Sequence, residues 1–327
     1  MSEPALDWPA LERLRTAFLE GTAGQEDYWR SESDLASYDA TFAQRIGWKW
    51  DYVLAEVGRR GWAPPPETAL LDWGCGSGIA ARAFLDCFGQ GCVTEARFWD
   101  RSALAMQFAA ARARSKYASL AVDTGLPSRP GLVLVSHALT ELTAEQTVAL
   151  VKWLEVAAAV VWVEPGTYEA SQRLIAIRER LAGRFHVVAP CTHGAVCGML
   201  AAGNEAHWCH HFAAPPPAVF TDSFWGRFAR TAGIDLTSLP VSFLVLDQRP
   251  APALPPGTVR VIGSPRVYKA HASVLACDAD GVGECELFKR HLPAMFRRFR
   301  KGDCPALQTW TREGGRVIDA VDALGGA

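Results

Sequence analysis

The stretch ALLDWGCGSGIAARAFL, residues 69–85, runs from a short apolar segment through glycines at 74, 76 and 78 into a helical pattern of apolar positions. A strand that turns on glycines into a helix lets a ligand approach the backbone and meet the helix N-terminus. Working outward from this turn, short apolar runs alternate with helical stretches. Strands are expected near 69–72, 95–99, 132–136 and 159–163, and helices near 79–88, 102–114, 143–156 and 169–182. Such alternation needs right-handed crossovers, so the fold class expected is α/β, a parallel doubly wound Rossmann-like sheet.

The flanking regions read differently. Before the breaker APPPE at 63–67, a helix over 4–20 precedes an amphipathic one with Leu35, Tyr38, Phe42, Ile46, Trp50, Val53 and Val57 at three- and four-residue steps. Residues 1–62 therefore form an N-terminal helical cap on a core at 63–188. A cysteine-rich insertion spans 189–218, and the core sheet resumes over 219–250 with a helix near 222–232 and a strand at 241–247. The last segment, 251–327, is a basic, β-rich extension with hairpins at 259–290 and a basic helical stretch to about 301.

With 327 residues, 49% hydrophobic content and a net charge of -2, the chain can bury a sizeable core. MSEPALDWPALERL carries no basic, apolar leader, and no apolar run reaches the ~18 residues a membrane span needs. The expected location is the cytoplasm, with no membrane partner. There the nine cysteines would be thiols, so their clustering points to metal or chemistry. Charge is uneven: residues 260–301 carry +5 net, and the rest of the chain -7. A basic tail on an acidic body suits a polyanionic partner such as RNA.

The D-x-G-x-G-x-G form of Asp72, Gly74, Gly76 and Gly78 resembles the first motif of class I S-adenosylmethionine-dependent methyltransferases. In ARFWDRSALAM the acidic Asp100 ends a strand, where it can accept ribose hydroxyls, and in LAVDTGLP Asp123 sits where such enzymes hold the adenine edge. Methyl transfer needs mainly alignment, so few signature catalytic residues are expected. LVLVSHALTEL lacks the Asn/Asp-Pro-Pro-aromatic motif of exocyclic-amine methyltransferases, and Pro190-Cys191 falls too late in the chain for a cytosine-C5 nucleophile. His137 and Glu141 flank the expected substrate entrance, yet no catalytic base can be named.

In APCTHGAVCGMLAAGNEAHWCHHF, residues 189–212, Cys191, Cys197 and Cys209 are separated by five and eleven residues without helical or strand periodicity. Three buried structural thiols are the bland reading. A metal site is the sharper one, with a fourth ligand among His193, His207, His210, His211, Cys277, Cys285 and Cys304. Neither interval is the short knuckle usual for zinc, which favours an iron–sulfur cluster with zinc as the alternative.

Taken together, YDATFAQRIGWKW at 38–50, the glycine turn, DRS at 100–102, SHALTEL at 136–142, VEPGT at 163–167, APCTHGAVC, HWCHHF, GSPRVYKAHASVLACDADG and ELFKR resemble one family. It comprises the methyltransferase-like assembly factors of the mitochondrial small ribosomal subunit and their bacterial relatives. The resemblance implies an S-adenosylmethionine-type fold and a 4Fe-4S cluster held by Cys191, Cys197, Cys209 and Cys277. It also implies binding to small-subunit ribosomal RNA or a pre-ribosomal particle. Gly198 departs from the family's usual proline, and His210-His211 doubles its single histidine. Three functions compete: an rRNA methyltransferase, a non-catalytic assembly scaffold, and a small-molecule methyltransferase with structural zinc.

Overall fold

The computed structural model describes residues 5–21 and 27–325; the start of the helix expected from residue 4 lies outside them. The N-terminal and central elements are α1 (Trp8–Leu19), α2 (Glu32–Asp39), α3 (Phe42–Arg59), β1 (Leu70–Trp73), α4 (Ile79–Phe88), β2 (Glu95–Trp99), α5 (Ala103–Lys116), β3 (Ala121–Thr124), β4 (Leu132–Ser136), α6 (Ala144–Leu154) and β5 (Ala159–Pro165). They are followed by α7 (Tyr168–Leu181), β6 (His186–Ala189), β7 (His211–Ala213), α8 (Ala218–Thr221), α9 (Ser223–Ala232), β8 (Leu239–Asp247), β9 (Thr258–Val267), β10 (His271–Asp278), β11 (Gly281–Phe288), α10 (Pro293–Arg300), β12 (Leu307–Glu313) and β13 (Arg316–Asp322). The chain divides into two compact units. The first holds residues 1–56, 63–164 and 213–239, and the second residues 57–62, 165–212 and 240–327. None of the described helices is long and apolar enough to cross a membrane.

In the first unit the strand order is β3-β2-β1-β4-β5, and every pair is parallel. The chain winds outward from β1 to β3, then returns to β4 and β5 on the other side. That reversal creates a switch point between β1 and β4, and ligands of doubly wound sheets bind outside the carboxyl ends of the strands there. β4 is buried along four of its five residues and β5 along six of seven, as parallel strands covered on both faces must be. The Rossmann-like fold class read from the glycine turn is the one observed.

Two elements of this unit differ from the sequence expectation. The amphipathic stripe at 35–57 is broken into α2 and α3, because Asp39, only 3% exposed, is gripped by the guanidinium groups of Arg82 and Arg112. Thr41 Oγ then donates to the Ser37 carbonyl at 2.6 Å and closes the turn. β3 escapes an apolar-run reading because it is an edge strand whose residues alternate between exposed and half-buried.

The second unit pairs β6 antiparallel to β8, with β7 also on β8. Its C-terminal part is a closed barrel of order β10-β11-β13-β12-β9. Hairpins were expected over 259–290; they are present, but as three strands of this barrel. The closure comes from β12 and β13, which lie beyond the expected hairpins, with β13 parallel to β11 and β12 antiparallel to β9. Val259, Val261, Val274, Leu287, Trp310 and Val317 fill the interior, and α10 covers it with Met295, Phe296 and Phe299.

Candidate functional site

The glycine turn lies at the carboxyl end of β1. Gly74, Gly76 and Gly78 adopt φ of 70°, 50° and 78°, in the left-handed region that a side chain disfavours. Gly74 and Cys75 N–H groups donate to the Trp99 carbonyl at 2.8 and 3.0 Å, tying the turn to the end of β2. Asp100 closes the arrangement: its carboxylate accepts from Gly76 N–H at 2.9 Å and from Ser102 N–H at 3.0 Å. A carboxylate has about four lone-pair sites, so Asp100 keeps acceptor capacity for a ligand hydroxyl.

Asp72 is placed otherwise. It is fully buried, and its carboxyl accepts from Ala81 N–H at 3.1 Å in the first turn of α4, so it fixes the turn from inside. Burial raises its pKa to about 7, opposed by the Ala81 hydrogen bond and Arg82. Because the folded value lies above the unfolded one, this group's contribution to stability is complete below about pH 4 and is lost as pH rises through about 7. Asp72→Asn should therefore stabilise the protein at pH 8, by at most about 4 kcal/mol, and have little effect at pH 4. Thermal denaturation at the two pH values checks this. Asp123 is exposed at the end of β3, ion-paired with Arg97 at 3.1 Å, so adenine contact would share that carboxylate with a cation.

Residues without a sequence signal complete this region. Trp29 is 6% exposed and stands so that a Cβ on Gly76 would meet its ring at 3.9 Å. Tyr28 Oη lies 3.4 Å from both carboxyl oxygens of Glu141, and the Arg101 guanidinium sits 5.2 Å from the Tyr28 ring centre and 3.7 Å from Glu141. Burial raises the Glu141 pKa to about 7, with Arg101 opposing and Asp100 adding to the shift. Tyr28 and Trp29 come from a segment without regular structure, which periodicity cannot find. At the end of β4, His137 holds a left-handed backbone (φ 52°), and burial together with Lys49 and Arg45 pushes its pKa well below the ordinary value. Lys49, 2% exposed on α3, is itself pulled down to about 7, first by burial.

The cysteine segment belongs wholly to the second unit. Buried Arg60 donates to the carbonyls of Val188, Pro190 and Cys191 at 2.7, 2.7 and 2.9 Å and fixes the entry to the loop. Arg178 donates to the carbonyls of His193 and Ala195 at 3.3 and 2.7 Å, while its ion-pair partner Glu179 accepts from Cys197 N–H. Cys209 is held by Ser171 Oγ at its N–H and by Ser242 Oγ at its carbonyl, 2.9 and 2.8 Å. A Cβ on Gly198 would lie 2.7 Å from Val282 N, so no larger side chain has room there.

These contacts gather Cys197, Cys209 and Cys277 into one cluster with Ile175, Met199, Ile262, Leu275 and Val282. Cys191 acts on them electrostatically: burial first, and then Cys191, raise Cys209 far above the ordinary thiol range and Cys277 to about 12. Arg260, 1% exposed, opposes both shifts. Cys285 instead points into the barrel core, and Cys304 packs by Gln308. His193 Nε2 is 3.7 Å from Cys277 Sγ, and His211 Nε2 is 3.7 Å from Cys209 Sγ.

The donor chemistry suits a thiolate-bound centre. Cys197, Cys209 and Cys277 resist ionisation chiefly through burial, with repulsion from neighbouring sulfurs adding to it, and coordination would replace that repulsion with bonds while Arg178 and Arg260 offset the remaining negative charge. Among the described residues, no three or more His, Cys, Asp or Glu side chains are arranged to hold a single metal ion.

The winding of the sheet, with a glycine turn on β1 and an acidic residue closing β2, defines the class I methyltransferase fold. The chain belongs to the family described as mitochondrial small ribosomal subunit Rsm22, whose profile matches residues 60–304. No curated protein matches it. Similar solved structures include magnesium protoporphyrin IX methyltransferase from Synechocystis PCC 6803, with 11% identity and a TM-score of 0.40, over 76% of this chain and all of that one. Another is a SAM-dependent methyltransferase from Aquifex aeolicus, with 15% identity and a TM-score of 0.37, over 51% of this chain and 94% of that one.

Proposed function

We propose that this protein acts in assembly of the small ribosomal subunit by binding its RNA, with S-adenosylmethionine held on the Gly74–Gly78 turn and a 4Fe-4S cluster bound by Cys191, Cys197, Cys209 and Cys277. The observation that carries the reading is the packing of Cys197 and Cys209 from the loop with Cys277 from β10 in one cluster, on which Cys191 acts electrostatically. Membership of a small-subunit family supplies the ribosomal context. When bound, the sulfonium cofactor would supply an electrophilic methyl group. Asp100 would accept hydroxyls of its sugar, Trp29 and Tyr28 would shield it, and the left-handed glycines would let it lie against the backbone.

The role of the cluster on this reading is structural. The loop over 190–210 is rich in histidine and glycine and holds little regular structure, so metal–ligand energy stands in for packing it does not have. A scaffold that binds the cofactor without turnover is the second reading, favoured by SHALTEL at the end of β4, which carries no amine-methylation motif. Calorimetry with S-adenosylmethionine, followed by tritium transfer to immature small-subunit RNA, separates the two. Binding with transfer supports the enzyme, binding without transfer supports the scaffold, and an absence of cofactor binding refutes both.

A further inference from the structure

The barrel in the second unit has a particular path. β9, β10 and β11 form an antiparallel meander, α10 follows, β13 then pairs parallel with β11, and β12 closes on β9. A five-stranded Greek-key barrel of this kind is the oligonucleotide-binding fold, which takes its ligand on the second and third strands and on the loops joining strands one to two and four to five. Those places can be checked for the chemistry single-stranded nucleic acid requires: aromatic faces for bases and cations for phosphates.

Both are present at one end of the β10–β11 face. Tyr268, in the tight turn between β9 and β10, stacks on His271 with centroids 4.7 Å apart and planes at 21°, and is 51% exposed. His271 opposes Phe288 across the β10–β11 pair, with ring centres 5.8 Å apart, and Phe288 adjoins His291 at 5.9 Å. Arg290, after β11, and Arg316, after the β12–β13 turn, each place a guanidinium over Phe288, at 5.5 and 5.6 Å. Exposed Lys269 and Lys289 flank the row. Two carboxylates share the face, but Glu284 is ion-paired with Arg266, and Glu286 lies 4.0 Å from His271. The balance at this end is cationic.

We propose that this surface is a binding site for single-stranded RNA, with a base stacking on the open face of Tyr268 and phosphates held by Arg290 and Arg316. The inference rests on the RNA-binding reading above and gives it a location. The same outward side of β10 carries Cys277 at its other end, roughly 20 Å along the strand, against the cysteine loop. A cluster bound there would brace the strand that presents the aromatic row.

The test is fluorescence anisotropy of the full chain with a labelled oligouridylate of about 12 nucleotides, a length that fits one such barrel, over a range of salt. Tyr268→Ala should weaken binding roughly 10-fold, and Tyr268→Phe, which keeps the ring, should restore it. The double variant R290A/R316A should lower the slope of affinity against salt by about 1.4, the share of two phosphate contacts on a single strand. Tyr268 is half exposed, so a folded Tyr268→Ala protein, checked by its melting curve, is expected. If the tyrosine and arginine variants bind like the wild type while small-subunit RNA is still bound, the site is wrong and the RNA-binding reading stands. If the wild type binds neither oligouridylate nor small-subunit RNA, both fall.

Discussion

On the proposed function, Cys277→Ala should disrupt the metal centre, leaving less than half the iron of the wild type and a melting temperature that no longer responds to chelator or to anaerobic handling. Cys277 is the one proposed ligand that comes from the barrel; the other three belong to the loop segment 189–212. Removing it breaks the link between the two parts and leaves one thiol too few for the proposed centre, with burial of Cys197 and Cys209 disfavouring their unliganded thiolates. Cys285→Ala is the paired control. It lies on the neighbouring strand but faces Val274, Leu287 and Trp310 in the barrel core, so its loss should cost about 1 kcal/mol of packing and no iron. Iron analysis and thermal denaturation of the two variants side by side check both statements. Equal iron in the two proteins would remove Cys277 from the ligand set.

The second large effect is expected at the glycine turn. Gly78→Ala must place a Cβ at φ 78°, 2.9 Å from the Ala109 Cβ and 3.2 Å from the Phe98 ring. Left-handed strain of about 1 kcal/mol adds to overpacking of about 2 kcal/mol, which for a chain of this size lowers the melting temperature by about 4 °C. Gly233→Ala separates these causes: Gly233 is also left-handed, φ 60° and ψ 44°, but the nearest atom to its Cβ position is an Arg15 Nη at 3.7 Å, so only the strain of about 1 kcal/mol should appear. On the proposed function, Gly78→Ala also weakens S-adenosylmethionine binding at least roughly 10-fold, because the helix N-terminus shifts away from the ligand. Calorimetry reads that loss directly.

Much of the first unit was legible because its buried parallel strands are nearly continuous apolar runs, such as LVLV before Ser136 and VVWV before Glu164, and glycines punctuate them. The residues around the glycine turn were legible only in part. Asp100 follows from its place after β2, whereas Tyr28, Trp29 and Arg101 reach the same region through tertiary contacts that local pattern does not encode. Asp72 shows the converse: a motif position, legible in the sequence, fixes the turn from inside through Ala81 N–H.

The barrel was the least legible part. Its strands alternate inside and outside residues, which suggests hairpins, but closure depends on the parallel pairing of Glu286 and Leu287 with Arg316 and Val317, brought together across α10 and β12. Long-range pairing of that kind leaves no periodic trace. Cys277 and Cys285 illustrate the consequence: both alternate correctly with their neighbours, yet only the strand register reveals that one faces the cysteine loop and the other the core.

Anaerobic purification followed by iron, sulfide and zinc analysis tests the central claim most directly. The account predicts a brown protein absorbing broadly near ~400 nm, with about four iron and four sulfide per chain and little zinc. A colourless protein with about one zinc per chain, or with no metal and a fully ordered cysteine loop, would contradict it.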